Sequence, residues 1–262
     1  MIQGSDLAGK TILITGASSG IGKALAVHYA RERASLALLG RDQSRLAMVA
    51  DECRKLGGSV QIHPLDVRNR AEMNAWVRGF DEKTPVDLVI ANAGLMAGTP
   101  PGGEIEPADA GYAVVETNVL GVLNTIQPLL PAMLSRRKGQ IAIISSIAAF
   151  IPLPDSPSYC ASKSAVLNYG QSLRALLAPH GIAVSVVCPG YVTTPMAARE
   201  SGRKPFMMSA EKAAALIVAG LGRNRPLIAF PFLFALATRL HGLVPDGLRR
   251  RLSSGYRFTV EN

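Results

Sequence analysis

The stretch Lys10-Thr11-Ile12-Leu13-Ile14-Thr15, followed directly by Gly16-Ala17-Ser18-Ser19-Gly20-Ile21-Gly22, decides the fold of this chain. Its first part is short, apolar and rich in β-branched residues, which predicts a buried strand. A helical pattern begins at Lys23, so the glycines lie in a strand-to-helix turn. Glycines there let a backbone pass close to a pyrophosphate, and the helix N-terminus then faces the phosphate charge. The stretch therefore predicts nucleotide binding, although any tight turn between a strand and a helix favours glycine.

Strand-like and helical segments alternate from this point to about residue 230. We expect further strands at 35–39, 59–64, 86–90, 139–144 and 183–188, and a seventh at 225–230, separated by helices. Such connections predict an α/β fold with a doubly wound parallel sheet and right-handed crossovers. Ligands of such a sheet bind at the carboxyl ends of the strands, where Asn92 and Gly94 follow the strand at 86–90.

The residues after the second and third strands bear on the choice of nucleotide. Gly40 leaves room and Arg41 supplies a charge that would pair with a ribose 2′-phosphate, which favours NADP(H). In the alternative, Arg41 is solvated and Asp42 caps the next helix, which is compatible with NAD(H). Asp66 could accept a hydrogen bond from an adenine amino group, or it could cap the helix that begins at about Arg70.

Tyr159 and Lys163 are four residues apart and therefore lie on one face of a helix. A phenol has a free pKa of about 10, and a nearby ammonium would lower that pKa and make the phenol a proton donor for a carbonyl oxygen. Ser146 ends the fifth strand and can face the same crevice. Asn118 is an amide among apolar neighbours, so it either ties two elements together or holds a water or Lys163 in place.

The composition of the chain limits the classes of partner that we expect it to bind. The chain has 262 residues, a formal charge of +9 and only 5% aromatic residues. It lacks a basic run with interleaved aromatics, so its sequence does not indicate nucleic-acid binding. The sequence has no uncharged apolar window of about 18 residues, so we do not expect a transmembrane helix. Residues 1–6 lack the pattern of a secretory signal. Three cysteines without metal-like spacing favour a reduced, cytoplasmic protein with no metal site.

Taken together, these residues resemble the short-chain dehydrogenase/reductase family. The matching motifs, in the family's order over roughly residues 8–230, are Thr15-Gly16…Gly20-Ile21-Gly22, Asp66-Val67, Asn92-Ala93-Gly94, Asn118, Ser146, Tyr159-x-x-x-Lys163 and Pro189-Gly190-x-Val192-x-Thr194. The resemblance implies one Rossmann-like three-layer sandwich with strand order 3-2-1-4-5-6-7. It also implies hydride exchange with a nicotinamide that interconverts a carbonyl and a secondary alcohol.

The resemblance implies a role for each catalytic candidate. Tyr159 would be the acid in reduction and the base in oxidation, and Ser146 would hold the reacting oxygen. Lys163 would bind the nicotinamide ribose and lower the pKa of Tyr159, while Asn118 would hold a water that relays protons. The residues it implies along the cofactor are Gly16, Ser18, Ser19, Gly20, Ile21, Gly22, Arg41, Asp66, Val67, Asn92, Ala93, Gly94, Tyr159, Lys163, Pro189, Gly190, Val192 and Thr194.

Three features depart from the family pattern. Ala91 replaces the first residue of the usual Asn-Asn-Ala-Gly, and Ser19 stands where many NADP-binding members have a basic residue. The Asp-Gly-Gly ending of many tetrameric members is absent. We still expect a homodimer or homotetramer, and a catalytic domain over residues 1–230.

Residues 231–262 form a tail that is apolar at 231–237 and carries Arg239, Arg249, Arg250 and Arg251. The tail could pack on the domain or a partner subunit, lie on an anionic membrane surface, or close over the substrate pocket. The loops at 95–107, 147–157 and 196–209 are apolar and contain many prolines, which indicates an uncharged, apolar substrate. The alternatives to an enzyme are a nucleotide-sensing protein of the same fold and a peripheral membrane scaffold.

Overall fold

The computed structural model of the chain describes residues 7–240 and 258–261. Seven parallel strands form one sheet in the order β3-β2-β1-β4-β5-β6-β7. The strands are β1 (Thr11–Thr15), β2 (Ser35–Gly40), β3 (Ser59–Pro64), β4 (Leu88–Ala91), β5 (Gly139–Ile144), β6 (Ile182–Pro189) and β7 (Leu227–Phe230). The sheet and the strand order predicted from the sequence are confirmed.

Helices cover both faces of the sheet. They are α1 (Gly20–Arg31), α2 (Gln43–Lys55), α3 (Arg70–Lys83), α4 (Ala108–Val115), α5 (Gly121–Ile126), α6 (Leu130–Arg136), α7 (Pro157–Leu177), α8 (Pro195–Ala198), α9 (Ala210–Gly222) and α10 (Phe232–Leu240). None of the helices in residues 7–240 is long and apolar enough to cross a membrane.

The apolar strands are buried on both sides because their alternating side chains face two separate cores. In β1, Ile12 and Ile14 pack with helices α1, α2 and α9, and Leu13 packs on the opposite side with α3, α5 and α7. Every residue of β1 is buried. A parallel sheet covered on both faces requires such continuous apolar runs, which explains why the strands were readable from the sequence.

The segment from 108 to 136 is divided into several short helical elements rather than one continuous helix. After α4 the chain widens into a π-helical turn, Glu116–Leu120, and Asn118 lies buried in that turn. Pro128 and Pro131 stand in the first turns of the segments that follow, where a missing N–H is tolerated. Single π-turns inserted in helices are frequent at functional sites.

The described part of the tail returns to the domain at two places. Helix α10 follows β7, and the Phe234 ring lies 5.9 Å from the ring of Phe206. Phe258 and Val260 are buried against Met96 in a small core of their own. Residues 241–257, with Arg249, Arg250 and Arg251, lie outside the described residues, and so does what was expected of them.

Candidate active site

The glycine turn after β1 is so tightly packed that side chains larger than hydrogen would collide. Gly16 and Gly20 adopt φ angles of +65° and +53°, in the left-handed region that glycine enters readily. A Cβ on Gly22 would lie 2.3 Å from the carbonyl oxygen of Gly16, and one on Gly20 would lie 2.9 Å from a methyl carbon of Thr194. The turn therefore exposes backbone at the N-terminus of α1, as a pyrophosphate-binding turn requires.

Asn92 holds this turn in place. Its Nδ2 donates to the carbonyl oxygens of Thr15, at 2.9 Å, and Gly16, at 3.1 Å. In return, the Thr15 hydroxyl oxygen accepts from the backbone N–H groups of Asn92 and Ala93. The Asn92 amide therefore ties the end of β4 to the glycine turn, a structural role that the sequence did not distinguish from contact with the nucleotide.

One cavity of about 930 Å³ runs along the carboxyl edge of the sheet from the glycine turn to Tyr159. Of the cofactor residues expected from the sequence, all but Gly22 line it: Gly16, Ser18, Ser19, Gly20, Ile21, Arg41, Asp66, Val67, Asn92, Ala93, Gly94, Tyr159, Lys163, Pro189, Gly190, Val192 and Thr194. Ser146 also lines it, whereas Asn118 and Gly22 lie behind its wall. The glycine turn, and a lining that extends from Arg41 to Tyr159, fit a dinucleotide.

Two arginines that sequence reasoning missed stand with Arg41 at the far end of the cavity. Arg45 pairs with Asp42, its Nε 2.6 Å from the carboxylate, and Arg68 pairs with Asp66 at 2.7 Å. The Arg41 side chain makes no hydrogen bond, and no ion pair within 4.0 Å, with any residue of 7–240 or 258–261, but its charge acts on Asp66. Two carboxylates and three guanidinium groups line this end, and a third carboxylate, that of Glu116, lies 3.9 Å from Arg68 outside the lining.

The two aspartates at this end have different local roles. Asp42 caps α2 by accepting from the backbone N–H of Arg45 at 2.9 Å, as the alternative interpretation expected. Asp66 does not cap the next helix, so that alternative is wrong: the N-cap of α3 is Asn69. Asp66 is instead held by the backbone and side chain of Arg68, and hydrogen bonds from the Arg68 side chain lower the pKa of Asp66.

Ser146, Tyr159 and Lys163 converge at the other end of the cavity. Ser146 lies two residues after β5, where its oxygen accepts from the N–H of Ala148 at 3.1 Å, and its side chain is near enough to the Tyr159 phenol to affect the pKa of that phenol. The Lys163 Nζ lies 5.6 Å from the centre of the Tyr159 ring and donates to the carbonyl oxygen of Ile144 at 3.1 Å. These contacts place a hydroxyl, a phenol and an ammonium around one point.

The pKa of Tyr159 shifts opposite to what the sequence predicted. Burial raises the pKa of the Tyr159 phenol to about 12, and the neighbouring Ser146 side chain offsets only part of that rise. Burial also lowers the pKa of Lys163 to about 8, because the ammonium is 4% exposed. Burial penalises both charged forms, and this effect outweighs the attraction between ammonium and phenolate.

Asn118 ties two elements together, which is one of the two alternatives left open by the sequence. Its Oδ1 accepts from the backbone N–H of Leu95 at 2.7 Å, and its Nδ2 donates to the Leu95 carbonyl and to the Ser162 hydroxyl. Both amide hydrogens are thereby used. Asn118 thus fixes the chain after Gly94 against α7, one residue before Lys163.

The part of the cavity beyond Tyr159 is mainly apolar and draws on segments far apart in sequence. Its walls include Met96, Ile147, Ile151, Leu153, Met196 and, from the tail, Phe234. Phe258 and Val260 support Met96, Leu153 and Met196 from behind. The tail therefore contributes to this wall, which was one of its three expected roles.

Comparison with known proteins gives consistent results. Residues 10–204 match the family model of the short chain dehydrogenase. An uncharacterized oxidoreductase of Myxococcus xanthus is 32% identical over 93% of this chain and 96% of its own length.

Two solved structures share the fold along nearly the whole chain. A short-chain dehydrogenase from Sphingobium yanoikuyae in complex with NADPH is 29% identical, with a TM-score of 0.78, over 95% of this chain and 96% of its own. A short chain dehydrogenase/reductase from Burkholderia phymatum in complex with NAD is 26% identical, with a TM-score of 0.81, over 93% and 95% of the two chains.

Proposed function

This chain belongs to the short-chain dehydrogenase/reductase family and is an NAD(P)-dependent oxidoreductase, and on that premise we propose that it reduces an apolar ketone with NADPH, or oxidises the matching secondary alcohol with NADP. The observation that carries the proposal is the convergence of Ser146, Tyr159 and Lys163 at one end of a cavity that begins at the glycine turn. Each of these residues has a chemical role that follows from its surroundings.

Tyr159 delivers the proton. With a pKa raised to about 12, its phenol stays protonated at neutral pH and is ready to donate to a carbonyl oxygen. The Ser146 hydroxyl beside it can hold that oxygen by a second hydrogen bond. When bound, the reduced nicotinamide supplies the hydride that the carbonyl carbon takes up.

Lys163 balances the charge that remains on Tyr159. Its pKa of about 8 leaves most of it protonated at pH 7, in a pocket where a charge acts more strongly than in water. Donation by Tyr159 turns the phenol into a phenolate, which the ammonium 5.6 Å from the ring centre stabilises. The sequence predicted that the ammonium of Lys163 lowers the pKa of Tyr159. We propose that this stabilisation acts on the phenolate as the proton leaves. A proton relay through Asn118 would have to use its oxygen or its backbone, since both of its amide hydrogens are bonded.

The preference for NADP(H) is supported by the charges at the far end of the cavity. Asp42, the group that could accept from a free ribose 2′-OH, is already engaged by Arg45. Arg41 forms no ion pair within 4.0 Å among the described residues, although its charge acts on Asp66, so its guanidinium can pair with a 2′-phosphate.

The cofactor preference is tested by measuring NADPH and NADH binding to Arg41→Ala. We expect the affinity for NADPH to fall about 10- to 100-fold, the range for a hydrogen bond between charged groups, and the affinity for NADH to change little. The control is Arg54→Ala near the end of α2, the helix that begins two residues after Arg41, because Arg54 is exposed and lies outside the cavity. Equal losses for both nucleotides in Arg41→Ala would show that Arg41 does not recognise the 2′-phosphate.

The reaction is tested by a screen of apolar ketones and secondary alcohols with both cofactors, followed by the absorbance of the reduced nicotinamide. We expect turnover of bulky apolar ketones with NADPH and much weaker turnover of small charged ones, because the walls beyond Tyr159 are mainly apolar. If no carbonyl or alcohol is turned over while NADPH still binds, the chain is a nucleotide-binding protein and the proposal fails.

A further inference from the structure

The apolar part of the cavity contains one buried carboxylate that the reaction does not use. Glu200 is 6% exposed and lines the cavity. Its Oε1 accepts from the hydroxyl of Tyr191 at 3.0 Å, and Tyr191 lines the cavity too. The carboxylate is close enough to Tyr159 to contribute to the raised pKa of that phenol.

A carboxylate in this position is costly to bury. Burial raises the pKa of Glu200, and the bond from Tyr191 and the charge of Lys204 offset that rise in part. The Lys204 Nζ donates to the backbone carbonyl of Glu200. A well-packed apolar residue would avoid this cost, so the carboxylate calls for an explanation in terms of binding.

The backbone around Glu200 is fixed on both sides by the end of the tail. Glu200 forms an antiparallel bridge with Val260. Arg199 and Glu261 form two hydrogen bonds. The Arg199 carbonyl oxygen accepts from the Glu261 N–H at 2.9 Å, and the Arg199 Nε donates to the backbone carbonyl oxygen of Glu261 at 2.6 Å. An acceptor held this firmly loses little freedom when a ligand binds, which favours recognition.

We propose that Glu200 binds a hydroxyl group of the substrate, remote from the carbonyl that Tyr159 protonates. The substrate class is then a hydroxyl-bearing apolar ketone, or the diol formed from it, and the inference rests on the proposed function. The Glu200 side chain accepts the hydroxyl hydrogen, and Met96, Ile151 and Phe234 contact the carbon skeleton. A cationic amine fits less well because Lys204 adds a positive charge beside Glu200.

The test uses a matched pair of bicyclic ketones, one with and one without a hydroxyl on the ring far from the carbonyl. Binding of both is measured by calorimetry to Tyr159→Phe saturated with NADPH, so that no turnover interferes. We expect the hydroxyketone to bind about 10- to 100-fold more tightly, the range for a hydrogen bond to a charged group. Adding Glu200→Leu should bring the ratio to about one, whereas Glu200→Gln, which keeps an acceptor oxygen, should retain part of it.

Thermal unfolding of each variant, and binding of NADPH to it, identify any that fails to fold. Tyr191→Phe, which removes the hydroxyl that bonds Glu200, then provides the second variant and should reduce the ratio. Equal binding of both ketones to the Tyr159→Phe protein, or a ratio that Glu200→Leu and Tyr191→Phe leave unchanged, would overturn the inference. Turnover of the plain ketone by the wild-type protein tests the proposed function separately: if it is turned over while the binding ratio is one, only the role of Glu200 is wrong.

Discussion

Replacing Lys163 by Met should stabilise the fold at neutral pH while it removes the ammonium from the site. Burial lowers the Lys163 pKa from 10.5 to about 8. At 1.36 kcal/mol for each pKa unit, keeping this group charged in the folded protein costs about 3 kcal/mol at pH 7. Met is similar in size and leaves little cavity, and the lost hydrogen bond to the Ile144 carbonyl offsets about 1 kcal/mol. We therefore expect a net gain of about 2 kcal/mol.

The gain depends on pH in a direction that can be worked out. Between pH 8 and 10.5 the unfolded chain binds a proton at Lys163 that the folded chain has released, so wild-type stability rises with pH relative to the variant. The difference between the two proteins should thus change by about 3 kcal/mol over this window, in favour of the wild type. Effects of Tyr159 and other groups are present in both proteins and cancel to first order.

The assay is urea unfolding of wild type and variant at several pH values from 7 to 10.5. Lys55→Met is the control, because Lys55 is exposed at the end of α2 and its removal should leave no such pH-dependent difference. A stability difference for Lys163→Met that is the same at every pH would refute the reasoning. So would a variant that is less stable than the wild type at pH 7.

Three further predictions concern the phenol, the glycine turn and the tail. Because the Tyr159 pKa is raised to about 12, kcat/KM for alcohol oxidation should rise about tenfold per pH unit from pH 6 to 8, while kcat/KM for ketone reduction should not change with pH. An oxidation profile that does not change with pH would exclude a phenol of high pKa as the base. Gly22→Ala should abolish NADPH binding and lower the Tm, because its Cβ would lie 2.3 Å from the Gly16 carbonyl oxygen. The control Gly79→Ala, with no atom within 4 Å of its Cβ, should be neutral or stabilising. Equal behaviour of the two variants would contradict this. Phe258→Ala should lower the free energy of unfolding in urea by about 3 kcal/mol and raise KM for the ketone, because Phe258 is buried. The control Glu261→Ala, with an exposed side chain, should do neither. An unchanged KM in Phe258→Ala would show that the tail does not support the apolar wall of the cavity.

The sheet and one end of the site could be predicted because their signals are local. A strand buried on both faces is a continuous apolar run, as β1 and β5 show, and glycines at fixed spacing follow β1 directly. Tyr159 and Lys163 are one helical turn apart, so their shared face follows from helix geometry alone.

The rest depends on packing between segments that are distant in sequence. On α2, Arg45 is one of several exposed charged residues, and only the docking of the helix on the sheet brings it to the cavity. Glu200 meets Val260 across 60 positions, and no local pattern marks that pairing. The direction of the Tyr159 pKa shift also required the structure, because the burial of the phenol decides it.

The most direct measurement of the central claim is turnover by Tyr159→Phe alongside its affinity for NADPH. The substitution removes one oxygen and keeps the ring that packs against the cluster of Met96, Phe258 and Val260. We expect ketone reduction to fall by at least about 100-fold, the lower range for losing a positioned proton donor, and NADPH affinity to stay within about threefold of wild type. Near wild-type turnover in this variant would contradict the assignment of the phenol as the proton donor.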